Sequence, residues 1–194
     1  MKAKRILVAF SLLLIVGIGF LLAYFKIPFS PVSRSKAERE IYSALIAENH
    51  IFEEHTTLGD IDFSEEIVQY IKDEAPIVQD DTLADFQENN HQSYLLKDYL
   101  LTDTSFMLLN DAEVEQFYND WEAFSRQHPN VQVINSFSRV GFNSIFTQAI
   151  VLKSSSAKIF NAPFDYSGDG LVYIFKRIGG RWIEQYEIVL SITG

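Results

Sequence analysis

Residues 131–154, VQVINSFSRVGFNSIFTQAIVLKS, constrain the fold of this chain more than any other stretch. Apolar residues run through it almost end to end, weighted to Val, Ile and Phe. One polar break, Asn143-Ser144, falls near the middle. β-branched and aromatic residues suit a pleated, half-buried surface, so the run reads as two strands joined by a tight reversal. A two-residue turn at Asn143-Ser144 pairs Arg139 with Gln148. A four-residue turn ending at Phe146 shifts the facing pairs and re-aims Arg139. Both registers fit. Further on, Ile178-Gly179-Gly180-Arg181 is a strong hairpin signal, because Gly-Gly accepts the positive φ angles of a type I′ turn. That turn sets Arg177 opposite Trp182, Phe175 opposite Glu184 and Tyr173 opposite Tyr186. Four strands therefore close the chain, at about 131–142, 145–154, 170–178 and 181–192.

The chain before these strands reads as helical. Ser35-x-x-Glu38 fits a capping box, and Ala37, Ile41, Ala44 and Leu45 form an apolar stripe, which predicts a helix over 36–48. Asp62 is placed to cap the next helix, where Phe63, Ile67, Tyr70 and Ile71 share a face. Pro76 to Gln79 fits a short strand. A helical region follows from about Asp81 to Leu101, broken near Asn89-Asn90, and Ser105 to Leu109 is a short strand or turn. Asn110-x-x-Glu113 opens the clearest helix. Its stripe is Val114, Phe117, Tyr118, Trp121 and Phe124, and His128-Pro129-Asn130 stops it. An aromatic stripe at this spacing is core.

The first 34 residues stand apart. They hold five basic residues and no acids, and Ile6 to Phe25 are twenty residues without a charge. A helix of that length spans about 30 Å, the thickness of a bilayer's hydrocarbon core. The run is longer than a cleavable signal's apolar region, and Ala23-Tyr24-Phe25 is no small-x-small cleavage site. Residues 1–34 are therefore expected to be a cytoplasmic tip, a transmembrane signal anchor and a spacer stiffened by Pro28 and Pro31. Residues 35–194 are expected to be one extracytoplasmic α+β domain. Basic residues flank both ends of the run, with the tighter cluster (Lys2, Lys4, Arg5) before it, which favours an N-terminus inside and the domain outside.

Composition excludes some chemistry. There is no cysteine, so thiol nucleophiles, Cys-ligated zinc and disulfides are ruled out. From residue 35 onward 11 basic and 26 acidic residues leave a net charge of −15. That balance favours solubility and disfavours nucleic acid and anionic membrane surfaces as partners.

The run Ser138-Arg139-Val140-Gly141-Phe142-Asn143, then Thr147-Gln148-Ala149, resembles a family of bacterial exported or membrane-anchored proteins of unassigned function. The resemblance extends to Ile77-Val78-Gln79-Asp80-Asp81-Thr82, to the Leu83–Leu96 segment, and to the closing Tyr173–Ile192 hairpin with its Gly-Gly-Arg-Trp. It covers most of 36–193. Family relatives often carry polar residues after the Asn and a cysteine pair in the following loop, whereas this chain has Ile145 and Phe146. The resemblance implies location and fold, and no activity.

Several groups of residues invite a chemical reading. His50-Ile-Phe-Glu53-Glu54-His55 is close to a zinc-peptidase motif, but five residues of separation turn the second imidazole about 140° away on a helix. An exposed helix end accounts for it. Asp80-Asp81, with Asp85 and Asp103, offers paired carboxylates for acid–base work, while helix capping explains the same acids. Arg139, in an apolar strand, and Gln148, opposite or near it, are the ligand-binding candidates. Such an arginine more often pairs with an acid or lays its stem over apolar surface. Asp165, Ser167 and Asp169 match the opening of a calcium loop, Asp-x-Ser-x-Asp-Gly, but the twelfth position is Lys176 rather than Glu. A polar turn into a strand is the simpler account.

The expected architecture is thus a membrane helix, then helices packed on a four-stranded antiparallel meander. The expected role is a non-catalytic envelope module that binds another protein or a wall component, with no cofactor and no nucleic acid; the oligomeric state stays open. The alternative is a cone-shaped domain of the nuclear-transport-factor-like type, binding a small molecule or acting as an enzyme in a sheet-lined pocket. A deep pocket lined by Arg139 and acids favours the alternative, and a filled sheet–helix interface favours the first.

Overall fold

The structure is a computed structural model that describes residues 34–46, 51–56, 64–100, 106–159 and 166–190. The chain divides into two units, Met1–Ala37 and Glu38–Gly194. Of the first, only 34–37 are described, as the opening turn of helix α1 (Arg34–Leu45). The expected membrane segment, residues 6–25, lies outside the described residues. Among the described residues no helix is long and apolar enough to cross a membrane.

In the second unit, α1 is followed by β1 (Ile51–Glu53), α2 (Glu65–Glu74), α3 (Asp80–Asn89), a 3-10 turn (Leu96–Tyr99) and β2 (Met107–Leu109). Then come α4 (Asp111–Asn119), α5 (Trp121–Gln127), β3 (Val133–Phe137), β4 (Gly141–Phe142), β5 (Gln148–Lys158), β6 (Tyr166–Ile178) and β7 (Arg181–Leu190). The class is α+β, but the expected four-stranded antiparallel meander is wrong. The sheet has seven strands in the order β2-β1-β3-β5-β6-β7, with β4 beside β5, and it is mixed. β1 runs parallel to both β2 and β3. Two three-residue strands are too short to show a period of two. Their parallel pairing depends on crossovers through helices, so nothing local announces it.

The C-terminal strands also depart from the expected bounds. The strand expected over 131–142 is two pieces. Phe137 faces Lys153 while Gly141 faces Ile150, so one extra residue is accommodated within 138–140, as in a β-bulge. At the far hairpin Gly179 and Gly180 have φ of 58° and 84°, and Arg177 faces Trp182 and Phe175 faces Glu184 as expected. A bulge at Gln185 then places Glu187, not Tyr186, opposite Tyr173.

One face of the sheet is filled by helices. Ile150, Leu152, Val172, Ile174, Ile188 and Leu190 pack against Ile71 and Ala75 at α2 and Leu83 and Phe86 of α3. Each such aliphatic or aromatic side chain stabilises the fold by about 1.5–3 kcal/mol on burial. A second cluster joins Leu109, Phe117, Phe124, Val131 and Ile134. In a third, Phe137 stacks on Phe52 at 4.9 Å and meets Tyr42 of α1 at 5.2 Å.

Local signals explain three of the helix starts. Asn110 and Glu113 form the expected capping box. Ser64 caps α2 by accepting from Ile67 N; the expected cap, Asp62, lies outside the described residues, and Tyr70 is exposed rather than part of the apolar face. The single helix expected up to His128 is broken at Asp120, whose carboxylate accepts from Ala123 N at 3.0 Å and starts α5 afresh. The aromatic stripe survives the break, with Phe117 meeting Phe124 edge-on at 5.2 Å. Pro76–Gln79 is a turn rather than a strand.

Candidate functional site

The Ser-Arg-Val-Gly-Phe-Asn run meets helix α3 along a continuous polar seam. β4 pairs with β5 on one side, and on its other side α3 takes the place of a strand. Asp81 and Asp85 stand one helical turn apart. The Asp85 carboxylate accepts from Phe142 N at 2.7 Å, and that of Asp81 accepts from Ser144 N at 2.9 Å. Asn90, just past the helix, accepts from Arg139 N at 2.7 Å and donates to Arg139 O at 3.1 Å. Backbone groups that a strand edge would leave open are thereby satisfied by side chains. The Ser144 amide holds the Asp81 carboxyl below its usual range.

Two residues make this close approach work. A Cβ on Gly141 would lie 2.4 Å from Phe86 Cβ and 2.6 Å from Phe86 Cα, so only glycine fits where helix and strand touch. Asn143 orders the β4–β5 turn: its Oδ1 accepts from Thr147 N at 2.7 Å and Gln148 N at 3.0 Å. Its Nδ2 donates to Gln79 Oε1 at 2.8 Å and Thr147 Oγ1 at 2.9 Å. Phe146 N donates to Asn143 O, a β-turn inside a longer loop: Phe142 faces Ala149 and Asn143 N donates to Gln148 O, so neither of the two expected registers is adopted. Phe146 itself has φ of 54°, which costs about 1–2 kcal/mol for a residue with a side chain. Its ring stacks on Phe142 at 5.0 Å.

Both ligand-binding candidates belong to this seam but not to each other. Gln148 is buried; its Oε1 accepts from Gln79 N at 2.7 Å and Thr82 Oγ1 at 2.9 Å, and its Nε2 donates to Ile77 O at 2.8 Å. Arg139, at the bulge, turns toward α1. Its Nε and Nη2 donate to Glu38 Oε1 at 2.9 and 2.8 Å, and the guanidinium lies 4.4 Å from the Tyr94 ring centre and 4.2 Å from that of Tyr99. The cation is thus paired and flanked by two π faces. Tyr42 Oη donates to Ser138 O at 2.8 Å, a second tie from α1 to the same stretch.

The other candidates are dispersed. Ser167 and Asp169 lie in β6, paired to Ala157 and Ser155, and Asp165 lies outside the described residues. The polar turn expected here is instead extended strand, which advances about 3.3 Å per residue and does not curl round an ion. Among the described residues no group of three His, Cys, Asp or Glu side chains is placed to hold a metal. Asp80 pairs with Lys72 at 2.6 Å, and Asp103 and His50 lie outside the described residues. His55 follows a strand rather than ending a helix, and its Nδ1 meets Asp111 Oδ1 at 2.8 Å. Beside it, burial and then the Asp111 charge push Glu53 up to about 7, against the opposing pull of His55. In the sequence Glu53 stood out only as part of the His50–His55 run, with nothing to mark it as a buried acid. Lys153 and Tyr173, on the other face of the sheet, were also missed. Burial lowers Lys153, and burial followed by the charges of Glu187 and Glu184 raises Tyr173 to about 12.

No family model, curated protein or solved structure matches this chain.

Proposed function

We propose that the chain is a membrane-anchored extracytoplasmic domain of the bacterial envelope, working as a non-catalytic module that binds another envelope protein or a wall component. Residues 6–25 serve as the anchor, with the N-terminus in the cytoplasm. The observation that carries the non-catalytic part is the seam. The residues the sequence nominates for chemistry, Arg139, Gln148, Asp81 and Asp85, are engaged in joining α1 and α3 to the sheet. The resemblance to exported and anchored bacterial proteins supports the location.

The test uses the full chain in its membrane. Protease added outside opened cells should remove the domain and leave the anchor; protection of the domain overturns the topology. Arg139→Met should lower the unfolding midpoint, because breaking a buried ion pair from one side costs about 3–5 kcal/mol. An Arg139→Met chain of normal stability that no longer binds isolated envelope material would make Arg139 a ligand contact instead.

A further inference from the structure

Two reversals meet at one end of the sheet. They are the β4–β5 turn around Ile145 and the Gly179-Gly180 hairpin. Arg177 N donates to Thr147 O at 2.8 Å, and Gln148, Lys176 and Ile183 are successive partners across β5, β6 and β7. Underneath, Phe142 packs on Phe146 and, at 5.6 Å, on Trp182. Outward point Ile145, 65% exposed, Ile178, 53%, and Ile183, 43%. Ile77, 40% exposed, joins them through the bond from Gln148 to its carbonyl. Four of the nine large exposed hydrophobic residues among those described collect here, and so do Lys176, Arg177 and Arg181, three of the 11 basic residues after position 34. Exposed aliphatic side chains gathered at one end of a sheet mark a place that something covers. Nor is it a slack loop: the four Asn143 bonds and the left-handed Phe146 hold Ile145 outward.

We propose that this isoleucine tip docks on an anionic lipid surface, the isoleucines entering the interface and Lys176 and Arg181 reaching the phosphates. The shape is two projecting turns rather than a groove. The apolar groups are aliphatic and the charges sit on long stems, which suits insertion between headgroups. Protein hot spots are instead rich in Trp and Tyr and poor in Lys. The net −15 of the domain opposes such docking only at a distance. Screening limits each charge to about 8 Å at physiological salt, so the local tip decides. Glu74 and Asp80 flank Ile77, and Asp81 and Glu184 adjoin the two turns; Asp80 is paired with Lys72 and Asp81 is bound to the turn's own amide at Ser144. The proposal goes beyond the protein- or wall-binding reading and rests only on its membrane anchoring.

The chain has no cysteine, so single-site labelling is clean. Full-length Ile178→Cys and Ile145→Cys, each carrying an environment-sensitive fluorophore, would be reconstituted in vesicles of phosphatidylcholine alone or with phosphatidylglycerol. Both vesicle types would carry headgroup nitroxide lipids. Glu122→Cys is the control. Its helix packs near Lys158, about 30 Å along β5 from the tip. Quenching should be strong at 178 and 145, stronger with phosphatidylglycerol, and weak at 122. Lys176→Gln and Arg181→Gln should each lower the ratio of quenched to unquenched tip label about fivefold. A tip label quenched no more than the control overturns the proposal. So does one shielded without nitroxide quenching, which would mean a protein covers the tip. A chain that is anchored and protease-accessible yet shows either result fails this proposal alone.

Discussion

Gly141 shows how one residue licenses a whole contact. The backbone of Phe86 lies so near that Gly141→Ala must push helix α3 away from β4. Overpacking of this kind costs about 1–3 kcal/mol, and equilibrium urea unfolding should show it as a lower midpoint at unchanged slope. Glu53 makes a different residue-scale prediction. Its carboxyl is raised from 4.5 to about 7 in the folded chain, so the folded state holds the proton more tightly than the unfolded state does. The stabilising contribution is complete below the unfolded value and is lost as pH rises toward 7 and through it. Thermal midpoints measured from pH 5 to pH 8 should fall on this account, and Glu53→Gln should flatten that part of the profile. A wild-type profile that rises over this range would show that Glu53 is not held neutral.

At the scale of elements, the aromatic stripe was legible because its spacing is helical, although the helix is two helices. The break at Asp120 was hidden because Asp is ordinary inside a helical pattern, and only its bond to Ala123 N reveals a cap. The stripe is also unevenly buried: Phe117 and Phe124 are fully enclosed, whereas Trp121 is half-buried beneath Lys158. Phe124→Ala should therefore cost about 3–5 kcal/mol by cavity formation. Trp121→Ala should cost less, contrary to the ranking its size alone implies. Chemical denaturation of the two variants side by side checks the order. At α3, Asp81 and Asp85 read as capping acids, and both stand in the first two turns of the helix. Their use, however, is to close a strand edge that lies more than fifty residues further on.

At the scale of the molecule, the sheet joins distant parts of the chain. β1 sits between β2 and β3, so Phe52 faces Asn135 and its neighbours face Met107 and Leu109. Such pairings must close long loops before they stabilise anything, which slows folding. Refolding from urea should accordingly fall in the millisecond-to-second range or slower. Phe52→Ala should raise the unfolding rate or lower the folding rate according to when β1 docks. Stopped-flow fluorescence of Trp121 and Trp182 reads both ends of the sheet, and microsecond refolding would contradict the role given to these long-range pairs.

The sequence by itself determined the elements whose signals are local. These are the Gly-Gly hairpin, the Asn110 capping box, the aromatic stripe, the long apolar strands and the absence of thiol chemistry. Each depends on residues within a few positions of one another, where backbone geometry and side-chain period act directly. It also left the β4–β5 register open between two turns, and the fold adopts neither, with Phe142 facing Ala149. Only the tertiary structure decided that register, the parallel strands β1 and β2, and the use of Arg139, Gln148, Asp81 and Asp85. Arg139 meets Glu38 across 101 positions and Gln148 meets Thr82 across 66. A buried polar group is satisfied by whatever the fold brings to it, and no periodicity in a sequence records a partner so far away.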